Sequence, residues 1–235
     1  MIPKTIHYCW FGRNEKPKLA QKCIASWKKF CPDYEIIEWN EDNFDINACL
    51  YVKEAYQCKK YAFVTDYVRL YVMYTYGGIY MDTDVEVTKT LDSFLMHHAF
   101  SGFESDIHIP TGIMASEQGF PLFNHLLSYY ENISFYDSSG NPNLTTNVTT
   151  ITNMLTSKGF VPNGKYQEIE GFALYPKDYF CPYTPSTGIL EKTSNTAAIH
   201  WFNKSWIPQH LRLRFYIMRP LHRIFGVDAF KRFRK

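Results

Sequence analysis

Apolar residues fall in short blocks along the first hundred positions, and their period switches between that of strands and that of helices. Ile2 to Trp10 reads as a strand that ends in a turn at Phe11-Gly12. Pro17 to Phe30 spaces Leu19, Cys23, Ile24 and Trp27 as a helix does, and Pro32-Asp33 stops it. Tyr34 to Trp39 is a second strand, closed by the polar turn Asn40-Glu41-Asp42-Asn43. A mixed segment leads to Ala62 to Tyr76, which is apolar almost all round and therefore predicts a buried helix. Gly77-Gly78 ends that helix, because glycine accepts the positive φ common there. A strand carrying Asp82 and Asp84 then follows from Ile79, and Val85 to Val87 continues it or starts another.

Helices and strands in alternation predict an α/β sheet. Downstream, Ala99 to Glu104, Ile113 to Ser116, Phe172 to Tyr175 and Ala197 to His200 read as strands. Leu122 to Tyr130 and Val148 to Leu155 read as helices. The 235 residues suit one domain over 1–209, followed by a basic amphipathic segment over 210–235. That segment holds eight Lys/Arg against Asp228 alone, which leaves the body at about −5 and argues against nucleic acid as a partner. Six cysteines show no metal-like spacing and read as free thiols of a reducing compartment. Neither a signal peptide nor an apolar run of membrane-spanning length is visible.

The stretch Tyr76-Gly77-Gly78-Ile79-Tyr80-Met81-Asp82-Thr83-Asp84-Val85 carries the most chemical information. On an extended chain Asp82 and Asp84 point to the same side. Like charges so close repel unless a cation lies between them. Hard ions such as Mg²⁺ and Mn²⁺ favour oxygen ligands and bring a substrate phosphate with them. A solvated turn is the bland alternative. On the preceding helix Thr65, Asp66 and Arg69 share one face. An exposed helical ion pair would account for two of them, but charges are seldom set in so apolar a helix without a partner.

Together these residues resemble the glycosyltransferases with a DXD motif. The likeness is greatest to the family of the yeast initiating mannosyltransferase and the bacterial capsular polysaccharide sugar transferases, and more distant to the clostridial glucosylating toxins. It rests on Ile2 to Gly12, on Ala62 to Asp84 in the form A-x-x-x-D-x-x-R…G-G-I-Y-x-D-x-D, and on His200-Trp201-Phe202-Asn203-Lys204-Ser205-Trp206. The resemblance implies a GT-A type, Rossmann-like domain with a mixed sheet. It implies a retaining transfer of a hexose from a nucleotide-diphosphate sugar, UDP-linked by preference and GDP-linked as the alternative, with Mn²⁺ or Mg²⁺. In that reading Trp10 stacks on the base, and Thr65 and Tyr80 lie by the nucleotide. Asp66 holds sugar hydroxyls with Arg69 beside it. Asp82 contacts ribose and ion, Asp84 ligates the ion, and Trp206 donates to the β-phosphate. Either His200 or Ser205 completes the metal shell, and His200 departs from the toxins, which have a carboxylate-based ligand there.

No nucleophile is placed by the sequence, so front-face departure and attack is the working expectation. Thr111 to Met114 and Thr145 to Val148 are candidates for the acceptor side, expected to take a glycan or lipid-linked glycan. His210 to Lys235 mixes cationic and apolar residues, and as a helix is expected to break at Pro220 and Gly226. Its composition suits an anionic membrane surface, the alternative being a helix packed on the domain. The enzyme is thus expected in a bacterial cytoplasm, peripheral on the inner face of the membrane and serving surface polysaccharide synthesis. Two other classes stay open: a phosphatase with an Asp-x-Asp nucleophile, and a nucleotide-sugar binder without catalysis.

Overall fold

The computed structural model describes residues 1–105, 107–109, 112–203 and 209–226, with 209–216 described through the backbone alone. Strand β1 (Thr5–Cys9) leads through helix α1 (Lys18–Phe30) to β2 (Glu35–Trp39), which pairs parallel to β1. Helices α2 (Leu50–Gln57) and α3 (Tyr61–Thr75) then return the chain to β3 (Gly78–Met81), parallel to β1 on its other side. Next come β4 (Val85–Val87), β5 (Ala99–Gly102), β6 (Ile113–Ser116), α4 (Pro121–Glu131) and α5 (Asn147–Thr156). After them follow β7 (Gln167–Ile169), β8 (Phe172–Tyr175), α6 (Lys177–Phe180), the hairpin β9 (Tyr183–Thr184) and β10 (Ile189–Leu190), β11 (Ala198–His200) and α7 (Gln209–Phe225).

The main sheet has seven strands in the order β2-β1-β3-β6-β5-β8-β7. β6 runs antiparallel to β3 and β5, and β7 antiparallel to β8, so the sheet is mixed as expected. Alternate residues of each strand feed opposite cores. Ile6, Tyr8, Ile79, Met81, Ile113 and Ala115 pack on the side of α1, with Trp27, Val85 and Phe180. Cys9, Tyr80, Met114, Phe172 and Leu174 pack on the side of α2, α3 and α4. This period of two, with helices on both faces, is what buries the sheet. Trp27 is fully buried and donates its indole N–H to the Val85 carbonyl at 2.8 Å, tying α1 to β4. Truncating such a ring typically costs roughly 3–5 kcal/mol.

Between β1 and β3 the connections leave in opposite directions, α1 on one face and α3 on the other. Open α/β sheets bind ligands at such a switch point, outside the carboxyl ends of the strands. His7 holds this junction together from within the core. It accepts the Trp39 indole N–H at Nδ1 (3.1 Å) and donates from Nε2 to the Gly77 carbonyl (3.0 Å). Gly78 has φ +94°, and a Cβ there would stand 2.7 Å from the Thr5 carbonyl, so only glycine lets β3 close against β1.

Two expectations are corrected. The strand stops at Met81, and Asp82 to Asp84 form a turn closed by the Val85 N–H bonding to the Asp82 carbonyl at 2.9 Å. Helix α7 runs through Pro220 and ends before Gly226, because its second half is fastened to the β9–β10 hairpin by side-chain hydrogen bonds. Tertiary contacts there offset the helix bond that proline removes. All six cysteines are free thiols. Among the described residues no helix is long and apolar enough to cross a membrane.

Candidate metal and nucleotide-sugar site

Asp82, Asp84 and His200 converge at the carboxyl end of β3, with one ligand atom of each lying within 4.8 Å of the others. The convergence comes from the turn and from β11, which pairs antiparallel with β4 and sets His200 opposite Val85. Asp84 Oδ1 faces His200 Nε2 at 3.3 Å, and Asp84 Oδ2 accepts the Asn203 main-chain N–H at 2.6 Å. Trp201 N–H donates to the Asp84 carbonyl at 3.0 Å, locking the two segments together. His200 stacks on Phe202 with ring centroids 3.9 Å apart. Phe202 has φ 50°, a conformation costly for a bulky residue and one that accompanies functional sites. On the opposite edge the imidazole meets Gly112, where a Cβ would come within 2.7 Å of the ring.

Electrostatics couple this pair. Burial alone would raise the Asp84 pKa, but His200 and the Asn203 N–H hold it below the ordinary carboxylate range. Burial alone would lower the His200 pKa, but the Asp84 carboxylate lifts it well above the ordinary histidine range. His200 Nδ1 is buried without a hydrogen-bond partner among the described residues.

Asp82 joins the triplet to α3. Its Oδ1 accepts the Tyr80 hydroxyl at 2.8 Å and lies 3.2 Å from Arg69 Nη2, which in turn stands 3.4 Å from Asp66 Oδ1. Arg69 also donates from Nε to the Thr65 carbonyl at 3.3 Å, and its guanidinium lies 4.7 Å from the Tyr80 ring centre. Burial works against its charge, yet Asp82, Tyr80 and Asp66 more than restore it and keep the guanidinium protonated. Asp66 is the reverse case. Burial pushes its carboxyl up to about 6, against the pull of Arg69.

Asp66 and Asp82 face the Arg69 guanidinium and Asp84 faces His200, so the cluster holds three carboxylates against one guanidinium and keeps two negative charges when His200 is neutral. A divalent cation fits that excess, with two carboxylates that suit hard ions and one imidazole that suits softer ones. Ligation would require the His200 proton to leave, as metal binding to histidine generally does.

The remaining residues singled out from the sequence sit as follows. Trp10 follows β1 directly; its indole N–H donates to the Asn14 carbonyl at 2.6 Å and Lys16 lies 5.8 Å from its ring. Thr65 directs its hydroxyl back to the Tyr61 carbonyl at 2.9 Å. Tyr80 is buried behind Asp82. Ser205, Trp206 and Thr111 lie outside the described residues.

Sequence reasoning missed two contributors, Cys9 and Asn203, and the supporting role of a third, Asn147. Cys9, at the end of β1, is a buried thiol whose surroundings are Arg69, Asp82, Tyr80 and Thr65. Asn203 acts through its main chain, which leaves no trace in residue type. Asn147 is fully buried, donates to the Asp66 carbonyl at 2.7 Å and accepts the Tyr130 hydroxyl at 2.5 Å. The sequence grouped it within Thr145 to Val148 as a candidate for the acceptor side, with no signal of its bond to Asp66.

Comparison with known proteins agrees with this geometry. Residues 17–101 match the family described as "Glycosyltransferase sugar-binding region containing DXD motif". "Inositol phosphoceramide mannosyltransferase 3" of Schizosaccharomyces pombe is 33% identical over 124 residues, covering 51% of this chain and 35% of that protein. An uncharacterized glycosyltransferase of Acanthamoeba polyphaga mimivirus is 25% identical over 232 residues, 91% of this chain and 86% of that one. Among solved structures, "PaToxG Glycosyltransferase" covers 66% of this chain and 75% of its own at 18% identity, with a TM-score of 0.46. The chain spans about a third of the length of the fission-yeast relative it matches. The match over residues 17–101 takes in both aspartates of the motif, which lie in the turn after β3.

Proposed function

We propose that the protein is a retaining, metal-dependent hexosyltransferase that uses a nucleotide-diphosphate sugar. One observation carries the reading: Arg69 bridges Asp66 to Asp82, so the Asp66 carboxylate and the candidate cation site form one charged network.

In the reaction the anomeric C–O bond of the donor breaks, and its electron pair leaves with the β-phosphate oxygen. The acceptor hydroxyl oxygen bonds to the anomeric carbon on the face just vacated, and its proton passes to the departing phosphate oxygen. Asp82, Asp84 and His200 would hold the ion, which supplies positive charge to the leaving diphosphate. Asn203 N–H fixes the Asp84 carboxylate against rotation, and Tyr80 does the same for Asp82. Arg69 stands between Asp66 and Asp82 and sets its positive charge against both carboxyl groups. Asp66 then offers its carboxylate to donor hydroxyls and to the positive sugar ring of the transition state.

The fission-yeast relative is named for a mannose and a lipid, inositol phosphoceramide. We place mannose beside glucose and galactose among candidate sugars, and a lipid-borne acceptor, presented at an anionic cytoplasmic membrane face, ahead of a free one. UDP stays the favoured nucleotide and GDP the alternative.

Incubating the protein with UDP- and GDP-hexoses and Mn²⁺ tests the proposal through the products. Slow release of free sugar and nucleoside diphosphate, lost on chelation, identifies a transferase. Inorganic phosphate from a phosphomonoester identifies a phosphatase instead, and donor binding without turnover identifies a binder.

A further inference from the structure

The second half of helix α7, from Ile217 on, meets the β9–β10 hairpin with its polar face. Arg219 Nε donates to the Pro185 carbonyl at 3.1 Å, His222 Nδ1 to Ser186 at 3.0 Å, Arg223 Nε to Thr187 at 2.6 Å, and Arg223 Nη2 to Gly188 at 3.3 Å. Four consecutive carbonyls of the β9–β10 turn are thus taken by three side chains spaced three and four apart on one side of the helix. The Arg219 guanidinium also lies 5.7 Å from the Tyr183 ring centre.

The apolar face is turned the other way. Ile217, Leu221 and Ile224, also four and three apart, form a stripe that is 63%, 37% and 73% exposed. An amphipathic helix ordinarily packs its apolar stripe on the domain and shows its cations to water. Here the arrangement is inverted. The hairpin adds two more half-exposed aliphatics, Ile189 and Leu190, next to the glycine that Arg219 and Arg223 pack against.

Charge says what kind of surface this stripe meets. Besides the two arginines bonded to the hairpin, residues 209–235 carry six Lys/Arg and one Asp. An apolar stripe within so basic a segment matches an anionic lipid interface, where cations near the surface add attraction and the stripe enters the headgroup boundary. The position is also apt. Tyr183 of the hairpin packs on Trp201 (centroids 5.3 Å), and Trp201 follows the His200 that faces Asp84.

We propose that α7 and the β9–β10 hairpin form a membrane-docking face, seated on anionic bilayers by Ile217, Leu221 and Ile224 and attached to the domain by the Arg219–His222–Arg223 clasp. The inference rests on the reading that the acceptor is lipid-borne, and it sets the metal site beside the bilayer that would present such an acceptor.

Sedimentation of the full chain with phosphatidylcholine vesicles, with and without phosphatidylglycerol, tests it. The expected result is partitioning that needs the anionic lipid, weakens with salt, and falls about tenfold or more in the double variant Ile217→Asp/Ile224→Asp. The same variant should keep its Mn²⁺-dependent thermal shift with UDP or GDP. Unchanged partitioning in the double variant overturns the proposal. So does a wild-type oligomer in solution that the double variant dissolves, since the stripe would then be a seam between copies. Ile224→Trp gives a second readout independent of the double variant's folding: its emission should shift to the blue and be quenched by brominated lipid, and no response overturns the proposal. Vesicle binding that persists with no nucleotide-sugar chemistry would refute the transferase reading and leave the docking face standing.

Discussion

Asn147 donates to the main-chain carbonyl of Asp66 across 2.7 Å, joining the first turn of α5 to the middle of α3. The bond is backed by the Tyr130 hydroxyl on Asn147 Oδ1, and all of it is buried. Asn147 therefore positions the helical turn from which Asp66 projects without entering the cleft itself. Asn147→Ala strands the Tyr130 hydroxyl and should cost about 1–3 kcal/mol of stability. If Asn147 positions Asp66, kcat falls about tenfold with the donor KM little changed, as for an interaction realised in the transition state. Steady-state kinetics alongside thermal melts separate this from a purely structural role, which would lower stability and leave kcat per folded molecule intact.

Asp66→Ala should lower transfer by about a hundredfold or more while the affinity for nucleoside diphosphate with Mn²⁺ stays nearly unchanged. The cation triplet does not include Asp66, and Arg69 retains Asp82 as a partner. Calorimetry of diphosphate binding beside a transfer assay checks the split. Near-normal turnover in this variant would remove Asp66 from the mechanism.

Acid stability should expose two opposing groups. Burial draws His7 from 6.5 down to about 4, although its bond to the Gly77 carbonyl resists. Between those values the unfolded chain holds a proton that the native one lacks, so acidification destabilises. Burial draws Asp66 from 3.8 up to about 6. Across that window the native state holds the extra proton, so acidification stabilises. Each effect is about 3 kcal/mol, and they nearly cancel in the wild type. Asp66→Asn removes one of them. Its free energy of unfolding should exceed that of wild type at about pH 8, converge with it near pH 4, and fall more steeply between. Denaturant melts across pH decide this; parallel curves would mean the Asp66 carboxyl is not held up by burial.

Gly112→Ala tests the third ligand. The backbone at Gly112 is not in the left-handed region, so alanine itself is tolerated there, but its methyl would meet the His200 ring. Displacing the imidazole should weaken Mn²⁺ binding about tenfold, in the range of support-residue effects, with the metal-free melting point little changed. Equal metal affinity in the variant would exclude His200 from the coordination shell.

Much of this was legible beforehand, for reasons visible in particular residues. The period of two in Ile6, Tyr8, Ile79 and Met81, the apolar run of α3 and the Gly77-Gly78 stop sufficed to place β1, α3 and β3. Asp66, Arg69 and Asp82 could be grouped because they share one helix face or one strand end. Helix α2 escaped because its apolar positions, Tyr51, Val52 and Ala55, make too short a repeat to stand out. The two-residue strands of the β9–β10 hairpin are too brief for any periodic signal. Inversion of α7 was equally hidden, since a helical repeat shows that two faces differ and not which of them the domain will hold. Convergence of Asp84 with His200 depends on the pairing of β4 with β11 across more than a hundred residues, a register no local pattern encodes.

The central claim is that Asp82, Asp84 and His200 gather a divalent ion that grips the diphosphate of an activated sugar. Titration calorimetry of UDP and GDP, each with Mn²⁺ and with chelator, on the wild type and on Asp84→Asn, tests it most directly. The account predicts tight binding of one nucleotide only when metal is present, lost in the variant. Equal affinity in chelator, or in Asp84→Asn, would contradict it.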